Sequence, residues 1–267
     1  RHVMVRTGFA SGEIMVVLVC VSPVFPSKNN FVKALRKLHP EITTIVLNVN
    51  DRTDSMVLGK RDIVLFGRGY IEDELCGCTF RISPQSFYQV NPAQTEKLYG
   101  LALEYAGLTG NETVWDLCCG IGTISLFLAQ KAQKVYGVEI VPEAIADAKN
   151  NAKINEIENA EFFVGKSEEI LPAYYEQYAK DHPGEHAHAD VIVVDPPRKG
   201  CEENLLHTMA SMQPDRIVYV SCDSATLARD VKVLGELGYE VKKVRGVDQF
   251  PMTCHVEVVC CLHRVNS

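Results

Sequence analysis

The sequence predicts an α/β protein: a mostly parallel, doubly wound seven-stranded sheet closed by an antiparallel hairpin, with a smaller α+β unit before it. Three observations predict it. From Pro92 onward, runs of β-branched and aromatic residues alternate with amphipathic runs of helical spacing, as in strands joined by crossover helices. One such strand, TVWD, ends at Asp116 and passes through Gly120 and Gly122 into a helix near Thr123. The chain then closes on two strand patterns, GYEVKKVRGVDQF and CHVEVVCCLHR, with no helix between them. Such a pair suits an antiparallel hairpin at the sheet edge.

Residues 1–79 read as the small α+β unit. HVMVRTGF and EIMVVLVCV are strands, NNFVKALRKLH a helix, and TTIVLNVN and DIVLFG further strands, with Gly67-Arg68-Gly69 as a turn. Residues 80–267 read as the larger domain. The helix AQTEKLYGLALEYAG leads into TVWDL, TISLFLAQKA, KVYGVEI, EAIADAKNNAKIN, AEFFVG, DVIVVD, RIVYVS and ATLARDVKVLGELG. The polar, proline-broken segment AKDHPGEHAHAD, after a helix around YYEQYAK, is a surface loop. Its His182, His186 and His188 have no acidic or cysteine partner at ligand spacing, so no metal site is expected.

At 267 residues, 46% hydrophobic and 23% charged, the chain is long enough to bury a full core. The longest apolar run, GEIMVVLVCVSPVF, falls short of the ~18 residues a membrane span needs. With no leader-like segment, a cytoplasmic protein without membrane contact is expected. The ten cysteines include two adjacent pairs and one pair a residue apart, unlike the repeated two-residue gaps of zinc sites. Reduced, mostly buried thiols are the expectation. A net charge of −7 argues against binding nucleic acid through a broad basic surface. A local cluster of Lys28, Lys33, Arg36, Lys37, Lys60 and Arg61 could still serve. The chain opens at Arg1 and reads as a piece of something longer.

Four motifs carry chemistry. DLCCGIG has the spacing D-x-x-x-G-x-G, in which Gly120 and Gly122 let bare backbone approach a ligand. A dinucleotide fingerprint would want a third glycine where Ser125 stands; the pattern present is the one that holds the methionine part of S-adenosylmethionine. Glu139 ends KVYGVEI, where an acid accepts from both ribose hydroxyls and repels a phosphate. In DVIVVDPPRKG the strand stops at a stiff proline pair, so Asp195 faces the rim, and Arg198 occupies the slot where amine methyltransferases carry an aromatic. Finally, VSCDSATL places Cys222 at the end of a buried strand. A thiolate there can add to C6 of uracil and make C5 nucleophilic, and a base must afterwards remove the C5 proton. Glu257, a lone acid in an otherwise apolar edge strand, suits that role because burial raises a carboxyl pKa.

The runs FRISPQSFYQVNPAQTEKLY, DLCCGIGTISLFLA, VYGVEIVPEAIADAKNNAKIN, DPPRKG, YVSCDSATLARD and FPMTCHVEVV together resemble the bacterial RNA uracil-C5 methyltransferases, and most of all their 23S ribosomal RNA branch. The resemblance is strong over residues 80 to about 263, and residues 1–79 are similar to that family's central RNA-binding domain. It implies a Rossmann-like methyltransferase fold that methylates C5 of one RNA uridine through a covalent cysteine–C6 adduct. By the same resemblance, Cys222 is the nucleophile and Glu257 the general base. Gln89, Cys118, Glu139 and Asp195 match that family's cofactor-contacting positions and are expected to join Gly120 and Gly122 in holding S-adenosylmethionine; Phe87, Asp195 and Arg198 are the candidates to meet the flipped uridine. Core packing is the other reading of Phe87.

Two departures stand out: Cys118 sits where Tyr or Phe is usual, and Asp223-Ser224 replace the common Asn-Pro. The family's oligonucleotide-binding barrel and four-cysteine iron–sulfur segment are expected only in a longer parent chain, and the protein is expected to act as a monomer. A transfer-RNA uracil methyltransferase and a non-catalytic RNA-binding assembly factor are the rival readings.

Overall fold

The computed structural model describes residues 1–184 and 188–265, in two compact units, Arg1–Tyr88 and Gln89–Ser267. The division falls after Tyr88, because a boundary at residue 79 would cut through a strand that spans Cys78–Ile82.

In the first unit the strands β1 (His2–Thr7), β2 (Ile14–Cys20), β3 (Ile42–Val49) and β4 (Arg61–Phe66) form one sheet in that order. Helix α1 (Lys28–Leu38) makes the crossover between the parallel strands β2 and β3. Its Val32 and Leu35 pack on Val16, Leu18, Ile45 and Leu47, which leaves the charged residues of the helix outside. Strands β5 (Ile71–Leu75) and β6 (Cys78–Ile82) form a hairpin that the sequence reading passed over. Its turn needs positive φ at Cys76 and Gly77, as two-residue hairpins do. The inward alternation was hidden because Asp73 occupies an apolar slot. That buried carboxylate accepts from the amides of Phe9, Ala10 and Ser11 at 2.8–3.0 Å, so its charge is compensated.

The second unit holds β7 (Thr113–Asp116), β8 (Lys134–Glu139), β9 (Ala160–Val164), β10 (Val191–Val194), β11 (Arg216–Ser221), β12 (Tyr239–Val247) and β13 (Glu257–Arg264). They form the expected seven-stranded sheet, ordered β12-β13-β11-β10-β7-β8-β9, with β13 antiparallel to both neighbours. The strand carrying Glu257 is therefore interior, and β12 is the edge. Lys242, Lys243 and Arg245 lie along that exposed edge, a usual protection against further strand pairing. Helices α2 (Pro92–Ala106), α3 (Thr123–Ala129) and α4 (Pro142–Ile154) contact the sheet, as do α5 (Ser167–Asp181) and α7 (Ser224–Glu236); α6 (Glu203–Ser211), absent from the sequence reading, packs between those two.

The core centres on Trp115, fully buried among Tyr136, Phe163, Tyr174 and Tyr175, with its indole N–H donating to Tyr175 Oη at 2.9 Å. Because β8 and β9 extend one way from β7 while β10 and β11 extend the other, the chain reverses its winding between β7 and β10. Ligands of such sheets bind outside the carboxyl ends of the strands at that point. No helix among the described residues is long and apolar enough to cross a membrane.

Candidate active site

Four carboxyl-end loops converge at this reversal. The loop after β7 opens with Asp116, fully buried, whose carboxylate accepts from Ser125 Oγ at 2.6 Å. Burial pushes Asp116 up to about 6, against the pull of that hydrogen bond. Ser125, in the slot of the missing third glycine, is thus the partner that makes a buried aspartate tolerable. Gly120 and Gly122 both have positive φ, 53° and 87°. A side chain at Gly120 would enter open space, whereas one at Gly122 would press on Ala148 and Phe162 at 3.3 Å. The first glycine keeps a cradle clear, and the second lets α3 pack closely.

Glu139, at the tip of β8, accepts from Gly120 N at 3.3 Å and from Val141 N at 3.0 Å. It thereby borders the open space beside Gly120. Cys118 is half-buried and its amide turns inward to Asp116 at 3.4 Å; burial pushes its thiol well up, so it stays protonated.

Cys222 follows β11 directly and is half-buried. The loop's stiffness comes from Asp223, which caps α7 by accepting from Ala225 N at 3.0 Å and Thr226 N at 3.1 Å. Such a cap contributes about 1 kcal/mol. Ser221 Oγ accepts from Asp223 N at 3.1 Å and donates to Asp223 O at 2.9 Å, fastening the other side of the thiol.

Burial raises the Cys222 thiol, and the charges of Glu257 and Asp195 raise it further, while Arg198 pulls it down. Asp195, half-buried after β10, is pushed up to about 8 by burial and then by Glu257 and Asp116. Glu257, 4% exposed at the start of β13, is raised by burial and lowered by Arg198. The fold thus brings the predicted thiol, both acids and the arginine into one electrostatic cluster. Arg198 itself is exposed, and its Nη2 donates to His255 Nδ1 at 2.6 Å.

Gln89 is 8% exposed and meets a residue that the sequence reading missed. Gln249, 1% exposed, donates through Nε2 to Thr95 Oγ1 at 2.9 Å and to Gln89 Oε1 at 3.5 Å, while its own Oε1 is buried without a partner. A polar residue inside DQF was the available signal. Phe87, in the first unit, is 71% exposed, which rules out the core-packing alternative.

Of the loop histidines, His182 stacks on Tyr178 at 4.3 Å and His186 lies outside the described residues. His188 does meet acids: Asp190 at 3.0 Å, with Asp215 close by. Spacing alone concealed this, because Asp215 comes from a different loop. Arg264 pairs with Asp215 at 3.1 Å, and Thr113 N donates to Asp190, so protein groups already serve both carboxylates.

A family model described as tRNA (uracil-5-)-methyltransferase matches residues 10–265. The chain belongs to this family. It is 53% identical over 267 residues to an uncharacterised RNA methyltransferase of Clostridium acetobutylicum and 50% identical over 263 residues to one of Listeria monocytogenes. It covers 56% of each of those proteins and so spans about half the length of the curated relatives it matches. Among solved structures it resembles the Pyrococcus abyssi tRNA (uracil-54, C5)-methyltransferase in complex with S-adenosyl-L-homocysteine. The TM-score is 0.77 at 29% identity, covering 97% of this chain and 59% of that one. A tRNA m1G37 methyltransferase of Methanocaldococcus jannaschii, at TM-score 0.57 and 13% identity over 98% of this chain and 75% of that one, shares the fold alone. The fold is thus that of the S-adenosylmethionine-dependent methyltransferases, and the family is one of RNA methyltransferases.

Proposed function

We propose that the protein transfers a methyl group from S-adenosylmethionine to C5 of a uridine in RNA, in 23S ribosomal RNA, with Cys222 as nucleophile and Glu257 as base. The observation that carries this reading is the single cluster of a strand-end thiol, two carboxyls and one guanidinium beside a glycine cradle. The cradle suits the cofactor: space is open above Gly120, the Glu139 carboxylate borders it, and Gln89, Cys118, Gly122 and Asp195 complete the expected contacts. S-adenosylmethionine supplies an electrophilic methyl group there.

Everything else falls to the chain. A flipped uridine reaches Cys222, whose thiolate adds to C6 and turns C5 into a carbon nucleophile. After methylation a base takes the C5 proton, the thiolate leaves, and the C5–C6 double bond returns. Asp195, pushed up to about 8, is protonated at neutral pH. Burial raises Glu257 while Arg198 opposes the rise, which suits it to proton transfer as the base. Within the second unit, Arg198 is the group offered to the base; Phe87, whose ring is exposed in the first unit, suits stacking on a base.

Charge supports an RNA substrate once it is divided between the units. Arg1–Tyr88 carries eleven Lys and Arg against eight Asp and Glu, a net +3, whereas Gln89–Ser267 carries sixteen against twenty-six, a net −10. Lys33, Arg36 and Lys37 line a hollow of about 400 Å³ on α1, with Arg36 stacked 3.7 Å above Phe66. A basic unit of this kind suits phosphate contacts. All proposed reacting groups lie in the second unit of one chain, so a monomer suffices.

RNA containing 5-fluorouridine should trap a covalent complex through Cys222, since fluorine cannot leave as a proton does, and Cys222→Ala should abolish it. Absence of trapping with a methylated substrate sequence would overturn the nucleophile assignment. Transfer RNA is the second reading, favoured by the matched family's description. Mapping methyluridine in ribosomal and transfer RNA from cells with and without the gene separates the two.

A further inference from the structure

The segment Pro197–Cys201 carries Arg198 but has no regular secondary structure. Something else must set where that guanidinium stands, and α7 supplies it. Thr226 Oγ1 donates to Arg198 O at 3.2 Å, and Arg229 Nη2 donates to Lys199 O at 2.8 Å and to Cys201 O at 3.3 Å. Asp230, fully buried, accepts from Cys201 N at 2.8 Å and Tyr219 Oη at 2.6 Å through one oxygen, and from Arg229 Nε at 2.7 Å through the other. Gly200, at φ 76°, sits so close that a side chain there would meet Arg229 Nη2 at 2.5 Å and Asp230 Oδ2 at 2.6 Å.

The same helix begins at the Asp223 cap, one residue after Cys222. We propose that Arg229 and Asp230 are positioning residues: a latch that fastens the Arg198 segment to the helix carrying Cys222, so that guanidinium and thiol keep a set geometry. A buried, hydrogen-bonded carboxylate is a costly way to pack a loop. What it adds over apolar packing is direction, because Asp230 Oδ2 holds the Cys201 amide, Arg229 Nη2 holds the Lys199 and Cys201 carbonyls, and the Arg229 Nε–Asp230 Oδ1 bond ties the two side chains together. The inference rests on the reading of Cys222 as nucleophile and adds to it the device that aligns the nucleophile with its cation.

The charged groups acting on Cys222 are Glu257 from β13, Asp195 after β10, and Arg198; of these Arg198 alone favours the thiolate. The latch is therefore testable without RNA. In the full-length protein, the rate of Cys222 alkylation by iodoacetamide is followed against pH by mass spectrometry of the Cys222 peptide. Arg229→Ala, checked by its melting temperature to remain folded at the assay temperature, should shift that profile to higher pH, and Gly200→Ala should do the same. With 23S ribosomal RNA from a strain lacking the gene, both variants should lose kcat on the order of 10–100-fold, as misaligned groups do. Affinity for S-adenosylhomocysteine should stay within about twofold, and Arg229→Lys, which lacks the fork, should not rescue.

An alkylation profile and kcat like the wild type in Arg229→Ala would overturn the latch. Methyl transfer by Cys222→Ala would instead overturn the catalytic reading, while the alkylation shift in the Arg229 variant would still stand as proof of the latch.

Discussion

Replacing Asp195 with asparagine should make the protein more stable at alkaline pH. Asp195 sits half-buried beside two other acids, which pushes its carboxyl up to about 8. In an unfolded chain the same group ionises near ~4. Over the interval between, the native state holds a proton that the unfolded state has released. The favourable contribution is complete below about pH 4 and is lost as pH rises through about 8.

At ~1.4 kcal/mol per unit, the full displacement corresponds to roughly 5 kcal/mol. Water reaching this rim position screens the charge, which leaves a penalty of about 2–3 kcal/mol. Asparagine keeps the shape and carries no charge, so the variant should melt about 4–10 °C above wild type at pH 8.5. The gap should shrink to under about 1 kcal/mol at pH 4. Glu257 and Asp116 repel the ionised Asp195, so removing that charge relieves them too and adds to the gain at pH 8.5. Thermal and urea denaturation at the two pH values measure the effect. A variant no more stable than wild type at pH 8.5 would refute the burial and crowding of this carboxyl.

Glu257→Gln should leave attack and methylation possible but slow proton removal on the order of 10²–10⁴-fold, so that uridine RNA accumulates as a methylated covalent adduct on a denaturing gel; turnover at the wild-type rate would move the base role elsewhere. Glu139→Ala removes the carboxylate that borders the cradle and should weaken S-adenosylhomocysteine binding by about 1–3 kcal/mol in calorimetry. Simultaneous Lys33→Ala, Arg36→Ala and Lys37→Ala should weaken RNA binding and flatten its salt dependence by roughly 2–3 in log–log slope, with no change in cofactor affinity.

Where residues act through neighbours in sequence, the chain was legible. The alternation of strand and helix patterns after Pro92, the glycine loop, and the strand-end positions of Glu139, Asp195 and Cys222 all follow from local spacing, because a doubly wound sheet gathers its strand ends on one rim. Other features depended on partners distant in the chain. That Asp73 hides a hairpin could not be read without the three amides that neutralise it. Spacing placed β13 at the edge, and only pairing put it between β11 and β12. His188 gained a second acidic neighbour, Asp215, beside the local Asp190, and Gln249 became Gln89's partner across a long stretch of chain. Local pattern thus determined which groups stand on the rim. Burial and long-range hydrogen bonding decided their charges and alignment, since a carboxyl's pKa and a loop's register depend on atoms that sequence order does not bring together.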